Sequence, residues 1–550
     1  MADLTAISSW TPAETQHFAR RAGFGLSPEA AAQLASQPPG AAIDAWVDGT
    51  GIDQGSFGDV LATRADPVAE PARTASSTPG SVSLPVEPGP HPYRVEPSDA
   101  WRNNFTRSQA YLAFRMQYAP YAFAERMALF WHNLFATGWH KVNNAALMLQ
   151  QQATLRAHGL DRFDDLLVLV SKDPAMAIWL DSVQNNAAGT SVPNENYARE
   201  VMELYSLGAD NGYSQADITQ LARALSGWSF TVPASAVVAD PTDPSSKTAG
   251  GGTFRVYNGS ANPDPYIWNL QQRATLASMH ASGSIAFLDR TFDVRAPAAG
   301  MAPGEDALRS IVTNRGPQCA AFLAKRLLTH FATVRFTSQD LSDVASMIQA
   351  NQFDLRAVMK TLLKSSWFFA ASNRFALVEG PVSWTVRAAR ALGYDLAAAD
   401  ALTPKGFPAW ALVAGSFDQA GMKLLDPNGP NGWSEDDAWL NSGTIRYRTR
   451  LAAAVGLAEQ SSSGSPSVSY RLFPSEVARW FPTPPADPQA VLDRLVALLQ
   501  PAPFPASLGA AWLRALWPAA FTWNAASADT QARARQLAYL ILCSPAGQLY

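Results

Sequence analysis

The segment PNENYAREVMELYSLG, residues 193–208, is the stretch of this 550-residue chain that indicates its fold most directly. Its apolar residues recur every three or four positions, at Tyr197, Val201, Leu204 and Tyr205. This spacing predicts an amphipathic helix, and Gly208 is typical of a residue that ends one. A second helix is predicted in SQADITQLARALSGW, residues 214–228, with Ser214 as its N-cap and Gly227 after its end.

Helix signals of the same kind extend outward over most of the chain. Helix starts are predicted where Pro12 follows Thr11, where Pro28 follows Ser27 and where Pro488 follows Asp487. The aromatic segment AERMALFWHNLFATG, residues 124–138, predicts a helix that is buried on most sides. Because strands and helices do not alternate, we predict an all-α fold with long irregular loops and at most a minor β-hairpin.

Changes in composition divide the chain into four segments. We predict an N-terminal helical lobe at 1–230, a loop-rich excursion at 231–304, a middle helical segment at 305–400 that packs on the lobe, and a C-terminal loop-plus-helix segment at 401–550. The Pro-, Gly- and Ser-rich stretches 66–98 and 231–305 are expected to be surface excursions.

The overall composition excludes several classes of protein. The net charge of -4 and the lack of a basic run predict no binding to nucleic acid. No apolar run reaches the ~18 residues of a membrane-spanning helix, so no span is expected. The N-terminal segment lacks a basic and an apolar region, which predicts no signal peptide. As written, the chain is expected to be cytoplasmic, or exported if a leader was removed or a partner carries it.

Short motifs provide little further information about function. Cys319 and Cys543 stand outside metal-ligand and redox spacings, which favours two buried thiols over a disulfide. The chain has no nucleophile elbow, phosphate loop, dinucleotide fingerprint or HExxH motif.

The polar side of the 193–208 helix forms the candidate site. At about 100° per residue, Asn196, Glu200 and Glu203 fall within about 60° of one another. Two carboxylates one turn apart can hold a divalent cation or separate their pKa values for acid/base chemistry. The structural alternative is a solvated face with a Glu195–Arg199–Glu203 ladder at i,i+4 spacing.

His132 is the second candidate residue, on the aromatic helix. A histidine in such a helix is more often a hydrogen-bonded core residue than a ligand. It becomes a metal ligand only if another helix brings carboxylates to it, and the helix of Glu200 and Glu203 is the obvious supplier. The hypothetical metal set is therefore His132, Glu200 and Glu203.

Several segments resemble a known family in the order in which they occur. They are HFARRAGFG, ERMALFWHNLF, DPAMAIWLD, PNENYAREVMELYSLG, YSQADITQLARALSGW, FLAKRLLTHF, GPNGWSEDDAWL and LAYLILCSP. Together they resemble the bacterial family called domain of unknown function 1800 over nearly the whole chain. The resemblance implies a mostly helical protein of unassigned activity, often exported and often encoded beside a partner family with a sulfatase-like look.

This chain departs from the family pattern at three places. Leu134 stands where the family usually has a second histidine, and Glu379-Gly380-Pro381 stands for lysine-x-proline. The usual serine-proline-glutamate-phenylalanine run is Ser544-Pro545-Ala546-Gly547. The departures suggest a divergent member with altered or lost chemistry.

Two functional hypotheses fit these residues. In the first, the protein is an enzyme for metal-assisted or acid/base hydrolysis, with a divalent metal as its cofactor in the metal-assisted case. The carboxylates Glu200 and Glu203 and the imidazole of His132 are then ligands or acid/base groups. Orienting and substrate-positioning roles go to Asn133, Asn194, Asn196 and Arg199. In the second, the protein is a non-catalytic scaffold or export partner, and the same residues form a structural network.

Overall fold

The structure is a computed structural model that describes residues 2–50, 98–142, 145–228, 280–293, 302–392, 415–457, 477–518 and 520–550. The helices of the first 228 residues are α1 Pro12–Arg21, α2 Pro28–Ala35, α3 Pro39–Asp48, α4 Ser98–Tyr118, α5 Ala122–Leu134, α6 Trp139–Val142, α7 Ala145–His158, α8 Phe163–Ser171, α9 Pro174–Trp179, α10 Asn196–Glu200 and α11 Gln215–Ala224. A π-helical turn, Val201–Ser206, continues α10.

The remaining helices follow a short hairpin. The hairpin strands are β1 Ser284–Phe287 and β2 Arg290–Asp293, paired antiparallel. The helices are α12 Ala302–Asn314, α13 Gly316–Phe331, α14 Ser338–Ala350, α15 Leu355–Lys364, α16 Ser366–Phe369, α17 Pro381–Ala391, α18 Ser442–Ala452, α19 Val477–Trp480, α20 Pro488–Leu499, α21 Ala506–Leu516 and α22 Ala528–Cys543. The predicted all-α class is confirmed, with one two-stranded sheet in the described residues.

The predicted helix starts are confirmed by their caps. Thr11 and Glu14 form a capping box at α1, and Ser214 forms one with Asp217 at α11. The side chain of Asp487 accepts a hydrogen bond from the backbone of Ala490 at the start of α20. These short polar side chains satisfy N–H groups that the first helical turn leaves without a partner.

A single apolar cluster connects the described segments. Its buried side chains extend from Ala2 to Leu542 and include the large aromatic rings of Trp131, Trp139 and Trp384. Helix α15 packs on α3 and α12 packs on α8, so the middle of the chain contacts the N-terminal part.

The four-segment division stays a prediction. The expected excursions at 66–98 and 231–305 lie outside the described residues except at 98, 280–293 and 302–305, which hold the start of α4, the hairpin and the start of α12.

Two further expectations concern cysteines and membranes. Cys319 is buried and Cys543 is half-buried, and both thiols are free. Among the described helices, none combines the length and the apolar character that crossing a bilayer requires.

Candidate functional site

The asparagines of the 193–200 segment attach a loop to the start of α10. Oδ1 of Asn194 accepts a hydrogen bond from the backbone of Asn196 at 3.0 Å. Nδ2 of Asn196 donates to the carbonyl of Leu180 at 3.2 Å, and Nδ2 of Asn194 donates to that of Asp181 at 3.3 Å. The helix therefore begins at Asn196, three residues later than the sequence pattern suggests, because the side chain of Asn194 bonds to the local backbone instead.

The predicted ladder of charges on α10 is present. Arg199 lies 3.2 Å from a carboxylate oxygen of Glu195 and 3.4 Å from one of Glu203. Glu195 also accepts hydrogen bonds from Thr219 at 2.6 Å and from Gln215 at 2.7 Å. These bonds fasten α10 to α11, and the partly exposed position of Arg199 limits each ion pair to a small stabilisation.

Glu200 lies beside this network and forms none of its hydrogen bonds. Its side chain is half-buried. Burial raises the pKa of Glu200, the neighbouring carboxylate of Glu203 raises it further, and Arg199 opposes both effects. The π-helical turn that begins at Val201 follows directly. A catalytic role for Glu200, Glu203, Asn196 or Arg199 stays a prediction.

His132 lies in the core, on α5. Its side chain is 1% exposed, and neither ring nitrogen has a hydrogen-bond partner among the described residues. Burial lowers the pKa of His132 to about 3, with a weaker opposing effect from Asp426. The imidazole is therefore neutral near pH 7, and its ring meets that of Trp433 edge to face at 5.1 Å between centroids.

The predicted metal set is not assembled in the part of the chain that the structure describes. No group of three or more His, Cys, Asp and Glu side chains there is arranged to hold a metal ion. His132, Glu200 and Glu203 thus do not form such a group: the imidazole of His132 packs against the ring of Trp433 in the core, while the carboxylate of Glu203 pairs with Arg199. Leu134, at the position of the family's second histidine, is likewise buried in the apolar core.

Asn133, the neighbour of His132, connects α5 to a distant segment. Its Oδ1 accepts a hydrogen bond from the backbone of Trp433 at 2.6 Å, and its Nδ2 donates to Oε1 of Glu435 at 3.0 Å. Gly432 permits this approach, because a Cβ atom there would overlap the carbonyl oxygen of Asn133. The φ of Gly432 is also +81°, a region that favours glycine.

This contact lies at the edge of an open cleft. Polar side chains from several separate segments line it: Arg126, Asn133, Thr329, His330, Ser383, Ser434, Glu435, Asp436 and Tyr550. Its apolar walls are Leu129, Leu377, Val378, Met422, Trp433 and Trp439. A concave surface of this kind, with apolar walls and a few convergent polar groups, is typical of small-molecule sites.

Two carboxyl groups lie in this cleft. Burial raises the pKa of Glu435, and Arg326 and the hydrogen bond from Asn133 oppose that rise. Asp436 accepts a hydrogen bond from the backbone of Val378 at 2.7 Å. Its φ of +51° is unusual for a residue other than glycine, and such strained backbone occurs often at functional sites.

Positive and neutral donors form another part of the lining. Arg126 is 1% exposed and donates to Oγ of Ser383 and to the hydroxyl of Tyr550, both at 2.8 Å. Nε2 of His330 is sequestered from solvent without a hydrogen-bond partner among the described residues. Burial lowers the pKa of His330, and nearby Arg126 and Arg326 lower it further.

Glu379, at the position where the resemblance leads us to expect a lysine, has a structural partner. It is fully buried, and its carboxylate accepts a hydrogen bond from Nε of Arg387 at 2.7 Å. Arg448 also donates to the Glu379 carbonyl at 2.9 Å. Glu379 therefore belongs to a buried ion pair with Arg387.

The family resemblance is established by comparison with known proteins. The chain matches the family described as "Protein of unknown function (DUF1800)" over residues 17–549, and it belongs to that family. No curated protein and no solved structure matches the chain.

Sequence reasoning missed the main residues of the cleft. Glu435 and Asp436 lie within GPNGWSEDDAWL, Arg126 lies within ERMALFWHNLF, and His330 lies within FLAKRLLTHF. All three segments carry the family resemblance. The signal available in the sequence was therefore the family resemblance of these three segments. No spacing along the chain shows that their polar residues come together in one cleft.

Proposed function

We propose that the protein is an enzyme that uses acid/base chemistry in the cleft between α5, α13 and the 433–439 segment. Glu435 is the proposed general acid or base, and Asn133 orients it. One observation carries the proposal: a half-buried carboxyl with a raised pKa is held by a buried amide at the edge of an open cleft lined by polar side chains.

The chemical reasoning concerns the protonation state of Glu435. A carboxyl group whose pKa moves toward neutrality exchanges protons efficiently near the working pH of an enzyme. The hydrogen bond from Asn133 fixes one oxygen, and the other has no hydrogen bond to a described residue. Hydrolysis by activated water is the reaction class that such a carboxyl supports most simply.

A non-catalytic scaffold or export partner is the second candidate function, and the α10 network favours it. Glu195 accepts three hydrogen bonds from Thr219, Gln215 and Arg199, which is a bonding pattern of a helix-packing element. In this alternative, the conspicuous polar residues of 193–203 stabilise the fold and take no part in turnover.

The experiment compares three Glu→Gln variants with the wild-type protein. Purified protein is incubated with a small-molecule extract, and mass spectrometry follows every compound that is consumed or formed. We expect Glu435→Gln to abolish the change that the wild type produces. Glu29→Gln is the matched control, because Glu29 is an exposed residue paired with Arg494.

The third variant, Glu200→Gln, tests the site on α10. If it abolishes turnover while Glu435→Gln retains it, the catalytic residues lie on α10 and the cleft proposal is wrong. If the wild-type protein changes no compound in the extract, the scaffold function is favoured. Elemental analysis of the same preparations determines whether any metal accompanies the activity.

A further inference from the structure

We infer that the cleft binds a small organic acid, with its anionic oxygens at Arg126 and its apolar body against Trp433 and Trp439. The inference rests on the proposed function, since the bound acid would be the substrate on which Glu435 acts. It adds the chemical class of that substrate, which neither the fold nor the family indicates.

The first argument is the unbalanced charge of Arg126. Arg126 is 1% exposed, and its hydrogen-bond acceptors among the described residues are two neutral hydroxyl groups, those of Ser383 and Tyr550. Its Nε is buried and forms no hydrogen bond to any described residue. A buried charge is costly without a counter-ion, so an anionic ligand that reaches Arg126 would supply the missing partner.

The second argument concerns the groups around Arg126. His330, also in the lining, has an unpartnered buried nitrogen that can donate to an anionic oxygen in one tautomer. Arg21 lies close behind, with its guanidinium 4.1 Å from the centre of the Tyr550 ring, and donates to the carbonyl of Tyr550 at 2.6 Å. Arg21 and Arg126 thus both contact Tyr550, at one side of the cleft.

The carboxyl groups of the cleft are held by other partners. Glu435 is bonded by Asn133, and Asp436 by the backbone of Val378. No salt bridge joins either of them to Arg126 within the described residues. A ligand with an anionic group at one side and a reactive bond near Glu435 would match this distribution of charge.

The third argument is the apolar wall. Met422, Trp433 and Trp439 contribute large nonpolar side chains to the lining of the cleft. An inorganic ion such as sulfate would leave these surfaces uncovered, whereas an aromatic or aliphatic acid would bury them. The cleft would therefore recognise a ligand that carries an anionic oxygen group on an apolar body.

Calorimetric titration of the full chain tests this inference with paired probes. Benzoate is compared with benzamide, phenyl phosphate with phenol, and inorganic sulfate serves as a bare anion. We expect at least one organic acid to bind about tenfold or more tighter than its neutral counterpart, since a hydrogen bond to a charged group discriminates by about that factor. Inorganic sulfate should bind more weakly than the acid.

Two variants at Ser383 separate charge from shape. Ser383→Glu places a carboxylate beside Arg126, and Ser383→Gln places a neutral side chain of the same size there. We expect the glutamate variant to lose binding of the acid by a further tenfold relative to the glutamine variant. Arg126→Gln should lose it too, with circular dichroism as the check on folding.

Equal binding of the acid and its neutral counterpart, equal effects of the two Ser383 variants, or no binding by any probe would overturn the inference. The proposed function has a separate readout, because Glu435→Gln should abolish turnover while the acid still binds. If turnover depends on Glu435 but the cleft shows no preference for acids, this inference alone is wrong. If acids bind but the protein turns over no compound, the cleft is an anion-binding site and the proposed function is wrong.

Discussion

Nδ2 of Asn133 lies 3.0 Å from Oε1 of Glu435, although 302 positions separate the two residues in the chain. The same asparagine accepts a hydrogen bond from the backbone of Trp433. One amide side chain therefore uses both of its functional groups to hold a loop against α5. This contact places a carboxyl group at the edge of the cleft.

Gly432→Ala should disrupt this contact. A Cβ atom at residue 432 would overlap Asn133, and the φ of +81° is unfavourable for alanine. We expect the free energy of unfolding to fall by about 2 kcal/mol or more, measured by urea denaturation. Gly429→Ala is the control, because nothing lies within 4 Å of an added Cβ there. Equal stability of the two variants would contradict this account.

Asp173→Asn should change how stability depends on pH. Burial raises the pKa of Asp173 to about 7, while hydrogen bonds from the Met176 backbone and Gln151 oppose the rise. The folded state keeps a proton that the unfolded state releases above about pH 4. The free energy of unfolding should therefore fall as pH rises from about 4 to about 7, by up to about 4 kcal/mol from this group.

The asparagine variant should lack this loss between about pH 4 and about pH 7, as measured by urea denaturation across that range. Asp487→Asn is a matched control, because Asp487 is also an N-cap but is exposed. An unchanged pH dependence in Asp173→Asn would show that the buried carboxyl is ionised throughout.

His132→Leu should change the pH dependence of stability in the opposite direction. The pKa of His132 falls from 6.5 to about 3 because of burial, so the folded state keeps the ring neutral. The unfolded state binds a proton below pH 6.5, and the wild type therefore loses stability as pH falls from 6.5 toward 3. The leucine variant should lose less stability over that range in thermal denaturation.

The variant also distinguishes a packing role from a chemical one. At neutral pH, replacing a ring with two unpartnered nitrogens by an apolar side chain should have little effect on stability. His158→Leu is the control, since His158 is half-exposed and paired with Asp161. A loss of turnover with an unchanged melting temperature would instead support the predicted role of His132 as a ligand or base.

Glu200→Gln and Glu195→Gln should move the melting temperature in opposite directions. Glu200 has a raised pKa beside Glu203 and forms no hydrogen bond with the described residues, so removing its charge should stabilise the protein slightly. Glu195 accepts three hydrogen bonds, and its substitution should destabilise the link between α10 and α11. A drop in bound metal in Glu200→Gln, measured by elemental analysis, would support the metal site on α10 instead.

The sequence by itself determined the helical architecture. Helix starts at Thr11, Ser214 and Asp487 follow from short polar residues that bond to N–H groups within the same turn. The ladder of Glu195, Arg199 and Glu203 follows from i,i+4 spacing alone. Such contacts join neighbours in the chain, so a sequence pattern is enough to predict them.

Only the tertiary structure decided where the cleft lies. The sequence directed attention to Glu200 and Glu203 because they share a helix face, yet the carboxyl that meets Asn133 is Glu435. The ring contact of His132 and the hydrogen bond of Asn133 could not be predicted either, since both depend on how α5 packs against Trp433. Contacts between residues 300 positions apart arise from the packing of the whole core, and no local period in the chain records them.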